Sequence, residues 1–381
     1  MIIGIDIRNI GKKRTGDEAV FFNLVKNLAA IDDKNEYHLF TDIANTPILH
    51  NIGVELGLTE KDNFKIITLP TANKFSWNFW TLPKYLRKNP VDIYLTQYIT
   101  PWFVPKKIKI VTIIHDVSFK VYKQFIKKSD LFFLNCLIPR SIKRADKVVG
   151  VSKFTRNEII KYYKTDPAKV DFIYNAVADD FSAEDTSEEK IKSVKEKYHL
   201  PEKYILYIGT LQPRKNISTL VEAFALLKMG GKFDSLKLVI AGGKGHNYDK
   251  KIDTAVANNK LEQDVIFPGF VAEEDKAALM AAADIFCFPS FYEGFGIPIL
   301  EAMSVGTPVA ASDIAPHREI ADEAALFFNP DVAGEITQKL TEILKNNTLH
   351  NNLTIKGHAQ VPKFSWRQTA EKMLNIFESL K

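Results

Sequence analysis

Two glutamates eight positions apart, Glu293 and Glu301, stand in the segment EGFGIPILEAMSVGTPV and are the residue pair most suited to chemistry. Gly294 and Gly296 follow the first, Pro298 suits the opening turn of a helix, and Gly306 suits its end before Thr307-Pro308 starts a strand. The spacing predicts Glu293 in a loop at a strand end and Glu301 about one turn into a helix. So slim a loop lets backbone N–H groups and the helix N-terminus approach an anion or a sugar hydroxyl. A hydrolase acid–base pair is the competing use, and it needs carboxyls ~5 to 9.5 Å apart. Eight residues of continuous helix would hold them ~12 Å apart, which disfavours a hydrolase unless the loop shortens the span. Solvated acids on a plain loop and helix are the third reading.

Two further groups have the right types. In YIGTLQPRKNISTLVEAF, a strand ends at Gly209, and Arg214 and Lys215 precede a helix whose N-cap is Asn216 or Ser218. Two cations at a helix N-terminus beyond a strand can clamp a diphosphate; a solvated turn is the bland alternative. In TIIHDVSF, His115 and Asp116 follow an apolar run at what should be the C-terminal edge of a sheet. A lone histidine is more often structural, but this placement gives it even standing as a site residue. Near the start, Gly16 lies in a loop before a helix opened by Asp17 and Glu18, a weak signal taken alone. No two aspartates stand at Asp-x-Asp spacing, and no Cys/His cluster or HExxH is present, so metal is disfavoured.

The elements that must carry these residues alternate. IIGIDI, EYHLF, FKIITL, VDIYL, IKIVTII and KVVGV read as strands, separated by helical stretches such as 17–30 and 131–144. Near Asp179 the pattern lapses into a charged run, DDFSAEDTSEEKIKSVKEKYHLPEK, read as a linker with one exposed helix. The alternation restarts with KYILYIGT, SLKLVIAGG, DVIFPGF, DIFCFPS, TPVAAS and ALFF, with a helix at 217–229, and closes on a capped amphipathic helix at 365–380. Two doubly wound α/β domains follow, each with a ligand edge at its strand C-termini.

The 381 residues suit two to three domains. With 46% hydrophobic and 25% charged residues, disorder and a disulfide scaffold are excluded. The net +5 hides a split: residues 1–164 hold 27 Lys and Arg against 15 Asp and Glu, and the rest hold 24 against 31. Cys136 and Cys287 lie in apolar runs, as expected of a reduced, cytoplasmic-type protein. MIIGIDIRNIG reads as a first strand and not a signal peptide, and no run approaches ~20 apolar residues. Basic and aromatic residues mix in NKFSWNFWTLPKYLRK and from Lys106 to Lys164, a surface for an anionic lipid face. The alternative is that Trp77, Phe79 and Trp80 are core and the lysines only solubilise. Nucleic acid is not expected, since no recognition fold or RNP-type motif appears.

EGFGIPILEAMSVGTPV, with seven residues between Glu293 and Glu301, resembles the signature of glycosyltransferase family 4, retaining enzymes of the GT-B fold. The resemblance implies two Rossmann-like domains facing across a cleft, with a C-terminal helix returning to the first. The domains are placed at residues 1–182 plus 364–381 and at 183–363. It implies that Glu293 contacts the donor sugar and Glu301 the nucleotide ribose. Gly209, Thr210, Arg214, Lys215, Gly294, Phe295, Gly296 and Ile297 would also bind the donor. Lys215 matches the family's phosphate-gripping lysine; the arginine that the family carries directly after the glycine is Thr210 here, which leaves that role to Arg214 or to neither. His115 would sit by the transferred sugar, with Arg14, Thr15, Gly16 and Asp116 as a donor or acceptor loop.

The expected function is thus a retaining, metal-independent transfer of a hexose, mannose favoured, to a hydroxyl of a glycan or lipid-linked acceptor. No cofactor is expected beyond the donor substrate, GDP-mannose first, with UDP-glucose or UDP-N-acetylglucosamine as rivals. A cytoplasmic protein touching the inner face of the membrane is implied. An epimerase or phosphorylase on the same fold, or a silent glycan-binding subunit, is the alternative.

Overall fold

The computed structural model describes residues 1–11, 16–179, 181, 186–245 and 247–381. The chain divides into two units, Met1–Asn175 with Ser365–Lys381, and Ala176–Phe364. The break falls before the charged run, seven residues ahead of the expected boundary between residues 182 and 183. That run is not a free linker: its helix, Glu188–Lys197, buries Val194 and belongs to the second unit. Lys190 Nζ and Lys197 Nζ lie 2.7 and 2.5 Å from the carboxylate of buried Asp275, and the Tyr198 hydroxyl donates to it at 2.9 Å.

The first unit holds a seven-stranded parallel sheet: β1 (Ile2–Asp6), β2 (Glu36–Thr41), β3 (Phe64–Thr68), β4 (Ile93–Gln97), β5 (Lys109–Ile114), β6 (Lys147–Gly150) and β7 (Val170–Phe172), in the order β3-β2-β1-β4-β5-β6-β7. The second holds six parallel strands: β8 (Tyr204–Ile208), β9 (Lys237–Ala241), β10 (Val265–Gly269), β11 (Ile285–Phe288), β12 (Val309–Ser312) and β13 (Ala325–Phe328), in the order β10-β9-β8-β11-β12-β13. Central strands such as β8 and β11 are buried along their whole length. Their unbroken apolar runs reflect helices covering both faces.

In each sheet the order reverses once, between β1 and β4 and between β8 and β11. Loops leaving the two strands there diverge to opposite faces, and the crevice at their C-terminal ends is where such sheets bind ligands. The helix Trp366–Glu378 returns to the first unit and lies against Gly16–Ile31, burying Trp366, Ala370, Met373 and Phe377. The Thr369 hydroxyl donates to the Tyr174 carbonyl. Ser365 stands at the N-cap of this helix, but its side chain makes no capping bond, contrary to the expectation of a capped helix.

Candidate active site

The reversal point of the second sheet brings two distant segments together. After β8, Gly209 turns with φ 150°, and the chain reaches a 3₁₀ turn, Pro213–Lys215, before the helix Ile217–Lys228. After β11, the loop through Glu293 leads into the helix Ile297–Ser304, with Gly296 at φ 118° as its N-cap. Lys215 Nζ approaches Glu293 Oε1 at 2.5 Å and Arg214 Nη1 approaches Oε2 at 3.1 Å, while Arg214 also donates to the Tyr292 carbonyl. The Lys215 ammonium lies 5.1 Å from the centre of the Phe288 ring. None of the three is a solvated surface group: their side chains are 12%, 19% and 10% exposed for Lys215, Arg214 and Glu293. Burial alone would raise the Glu293 carboxyl, but Lys215 and Arg214 overcome it and hold it down to about 2.

Arg214 therefore turns toward Glu293 and not to solvent, whereas Thr210 is exposed. The Thr210 carbonyl accepts from the buried Tyr207 hydroxyl at 2.9 Å. Gly242, at φ 154°, crosses so close that a Cβ there would stand 2.0 Å from the Gly209 carbonyl oxygen. That closeness fixes the backbone beside the cations.

Glu301, on the helix Ile297–Ser304, is buried and faces a different cation. Lys276 Nζ, from the helix Glu273–Ala281, lies 2.6 Å from Glu301 Oε1 and 3.2 Å from Glu273 Oε1. Glu301 Oε2 is buried with no hydrogen-bond partner among the described residues. Burial raises the Glu301 carboxyl against the pull of Lys276. Phe295 is buried edge-on to Phe364, with ring centres 5.7 Å apart; Gly294 is also buried and Ile297 is half-buried.

Sequence reasoning missed what three residues do here. Lys276 resembles any charged helix residue, and only its partner distinguishes it. Asn216, one of the two N-caps expected, adopts φ 56° and makes no capping bond. Its amide instead donates to the carbonyls of Pro289 at 3.2 Å and Pro330 at 2.7 Å, pinning the start of the Glu293 loop. His317 is fully buried, with Nδ1 3.0 Å from the Ser312 carbonyl and its ring centre 5.3 Å from that of Phe288. A carbonyl only accepts, so Nδ1 carries the proton. Burial outweighs the attraction of Glu293 and depresses His317 to about 4.

At the reversal point of the first sheet, His115 follows β5 and is buried, with Nε2 2.8 Å from Gln97 Oε1 at the end of β4. Its Nδ1 lies 3.7 Å from Asp17 Oδ1, and its ring centre is 5.4 Å from that of Tyr98. Asp116 accepts from the Ser118 backbone N–H at 2.8 Å, a turn-capping role. Gly16 is the exposed first residue of the helix Gly16–Ile31, while Arg14 and Thr15 lie outside the described residues. Ser152 caps the helix Lys153–Tyr163 through the Thr155 N–H at 2.9 Å, as its position after β6 implies.

The aromatic segment divides. A five-residue π-helical turn, Trp77–Thr81, sends Trp77 into the core beneath the Arg8 guanidinium, 4.4 Å away, and leaves Trp80 exposed. Among the described residues, no helix is long and apolar enough to cross a membrane, and no group of three or more His, Cys, Asp or Glu is placed to hold a metal ion. Cys136 and Cys287 are both free thiols.

Two parallel-sheet, Rossmann-like units are the architecture of GT-B glycosyltransferases. A solved glycosyltransferase from Rickettsia africae ESF-5 shares the fold with a TM-score of 0.76 at 21% identity, covering 100% of this chain and 98% of that one. Residues 15–181 match Glycosyltransferase Family 4 and residues 188–360 match Glycosyl transferases group 1. The Escherichia coli O-antigen chain mannosyltransferase B is 31% identical over 281 residues, 73% of each chain. The chain belongs to this glycosyltransferase family. It is also 31% identical over 249 residues to the Escherichia coli serotype-specific mannosyltransferase WbdA, covering 65% of this chain but only 30% of that protein's length.

Proposed function

We propose that the protein is a retaining, metal-independent hexosyltransferase that moves mannose from a nucleotide-diphosphate sugar to a hydroxyl of a glycan or lipid-linked acceptor in cell-surface polysaccharide synthesis. The observation that carries this is the convergence of Arg214 and Lys215 on Glu293 at the reversal point between β8 and β11. These two buried-side cations suit the donor diphosphate and supply the charge neutralisation that a metal would otherwise give. Glu293 is assigned to the sugar and Glu301 to a ribose hydroxyl, with Gly209, Thr210, Gly294, Phe295, Gly296 and Ile297 shaping the donor site. The mannosyltransferase names of two relatives favour GDP-mannose over UDP-glucose or UDP-N-acetylglucosamine.

In this reading the bond from the anomeric carbon to the β-phosphate oxygen breaks and a bond to the acceptor oxygen forms on the same face. The acceptor proton passes to the departing phosphate. His115, fixed by Gln97, orients the sugar or its developing charge and is not a nucleophile. Gly16 and Asp116, with Arg14 and Thr15, complete the donor or acceptor side in the first unit.

The first unit is further assigned a contact with an anionic membrane face. Residues 71–144 carry 14 Lys and Arg against three Asp. Trp80, Phe103 and Phe132 are 67%, 60% and 66% exposed there. The rings form two groups: Phe79 stacks on Trp102 at 5.1 Å with Trp80 and Phe103 flanking that pair, and Phe133 meets Phe75 at 6.3 Å and Phe132 at 5.9 Å. Large exposed rings among cations match an interface of lipid headgroups.

Thermal-shift measurements with GDP, UDP and their sugars test the donor. GDP and GDP-mannose should raise the melting temperature most. Transfer of mannose to an extracted acceptor should then be lost in Glu293→Ala; unchanged transfer would overturn the site assignment.

A further inference from the structure

The contact between Lys276 and Glu301 lies outside every role assigned so far. Lys276 comes from the helix Glu273–Ala281, sits 16% exposed, and spans the carboxylates of Glu301 and Glu273 at 2.6 and 3.2 Å. Its partner oxygen is Oε1 alone. Oε2 of the same carboxylate is buried and has no hydrogen-bond partner among the described residues. A buried carboxylate oxygen without a donor is costly unless a ligand supplies one. The two oxygens therefore have separate duties: one is anchored by the protein and one is offered.

We propose that Lys276 is a positioning residue that keeps Glu301 ionised and turned so that Oε2 accepts a single hydroxyl of the donor ribose. The inference rests on the assignment of Glu301 to the ribose and adds what enforces it. Burial favours the neutral acid at Glu301, and Lys276 is the cation that opposes this. Without it the carboxyl is free to protonate and rotate, and selective acceptance is lost. Burial would also discharge Lys276, but Glu301 and Glu273 more than offset that effect, so the ammonium keeps its charge. The exposed surface of this helix carries other charges; among the described residues, Lys276 and Glu273 are the charged groups that act on Glu301.

The discriminating probe is the nucleotide alone, GDP against 2′,3′-dideoxy-GDP and UDP against 2′,3′-dideoxy-UDP, so that whichever ribose hydroxyl is used is removed, with Kd measured by calorimetry. A hydroxyl donating to a charged acceptor is worth roughly 1.5 to 3 kcal/mol, about tenfold or more in Kd. The wild type should show that ratio for the nucleotide it binds. Lys276→Met should bring the ratio close to one, Lys276→Arg should retain most of it, and Glu301→Gln should abolish it. The double variant Lys276→Met/Glu301→Gln should match Glu301→Gln in both the ratio and the Kd of the full nucleotide, and a further loss of affinity would overturn a role exerted through Glu301. The double variant removes both buried charges together, so it reports even where Lys276→Met folds poorly. A full ratio in Lys276→Met, with a lost ratio in Glu301→Gln, overturns the role of Lys276 and leaves the ribose assignment intact. A ratio near one in the wild type, a full ratio in Glu301→Gln, or no binding of either nucleotide overturns the ribose assignment itself.

Discussion

Lys215 Nζ stands 2.5 Å from Glu293 Oε1, although 78 residues of chain separate the two. The pair joins the turn after β8 to the loop after β11, so the cation proposed for phosphate and the carboxylate proposed for sugar are one electrostatic unit. Substituting either alters both. Lys215→Ala leaves Glu293 with Arg214 as its remaining cation. The expected loss of stability is roughly 2 kcal/mol, below the ~3–5 kcal/mol of a wholly unmatched buried charge. Urea unfolding measures it, and a weaker affinity for the nucleotide diphosphate should accompany it.

Acid should act on this unit in two windows. His317 is depressed from 6.5 to about 4, so the unfolded chain takes up its proton first as pH falls. The stability it confers is complete above about pH 6.5 and is lost as pH drops toward 4. Glu293, held at about 2 against an ordinary 4.5, contributes stability present above the ordinary value and lost as pH falls through about 2. Each contribution is on the order of 3 kcal/mol. Unfolding free energy followed from pH 7 to 3 should lose part of its slope in His317→Leu specifically between 6.5 and 4.

Gly242→Ala should be poorly tolerated. Its Cβ would meet the Gly209 carbonyl oxygen at 2.0 Å, and its φ of 154° already disfavours a side chain. The loss should match or exceed the ~1–3 kcal/mol of ordinary backbone strain, read as a fall in melting temperature. Gly243→Ala, where a Cβ meets open space, is the control.

If the aromatic face meets lipid, Trp80→Ala with Phe132→Ala should weaken binding to vesicles containing phosphatidylglycerol by about tenfold or more. Each buried ring contributes roughly 1.5 to 3 kcal/mol. Binding should fall with added salt and be slight on pure phosphatidylcholine. Equal binding by wild type and variant, checked by vesicle sedimentation, would contradict the membrane assignment.

Asp275 draws three donors from the segment after Ser187, and its carboxyl is held at about 2 despite burial, through Lys190, Lys197 and Tyr198. Asp275→Asn should release the helix Glu188–Lys197, raising amide exchange there ahead of the rest of the second unit.

All six strands of the second sheet are legible, β8, β9, β11 and β12 because buried parallel strands are apolar almost without interruption, and β10 from a shorter run ending in Pro268 and Gly269 although only Val265 in it is buried. Of the first sheet, β7 is missed: Val170–Phe172 is three residues long, with a charge in the middle. The loop through Glu293 is legible because glycine and proline mark its ends. Lys276 and His317 are not, since a cation or an imidazole on a helix gives no sign of which distant carboxylate or carbonyl it will meet. The charged run after Asp179 misleads for the opposite reason. Its lysines resemble solvent-facing charges, yet two of them are matched to a buried aspartate 78 and 85 residues further on.

The helix Trp366–Glu378, seated on Gly16–Ile31, has a consequence for the order of synthesis. The second unit is one uninterrupted stretch, Ala176–Phe364, and has all its sequence before the ribosome reaches Ser365. The first unit begins earlier but must wait for its last helix. Until then the helix Gly16–Ile31, which is buried along most of its length, lacks that cover. The unit translated first is therefore the one completed last, and a released chain ending before Ser365 should hold a finished second unit beside an N-terminal unit that chaperones can still bind.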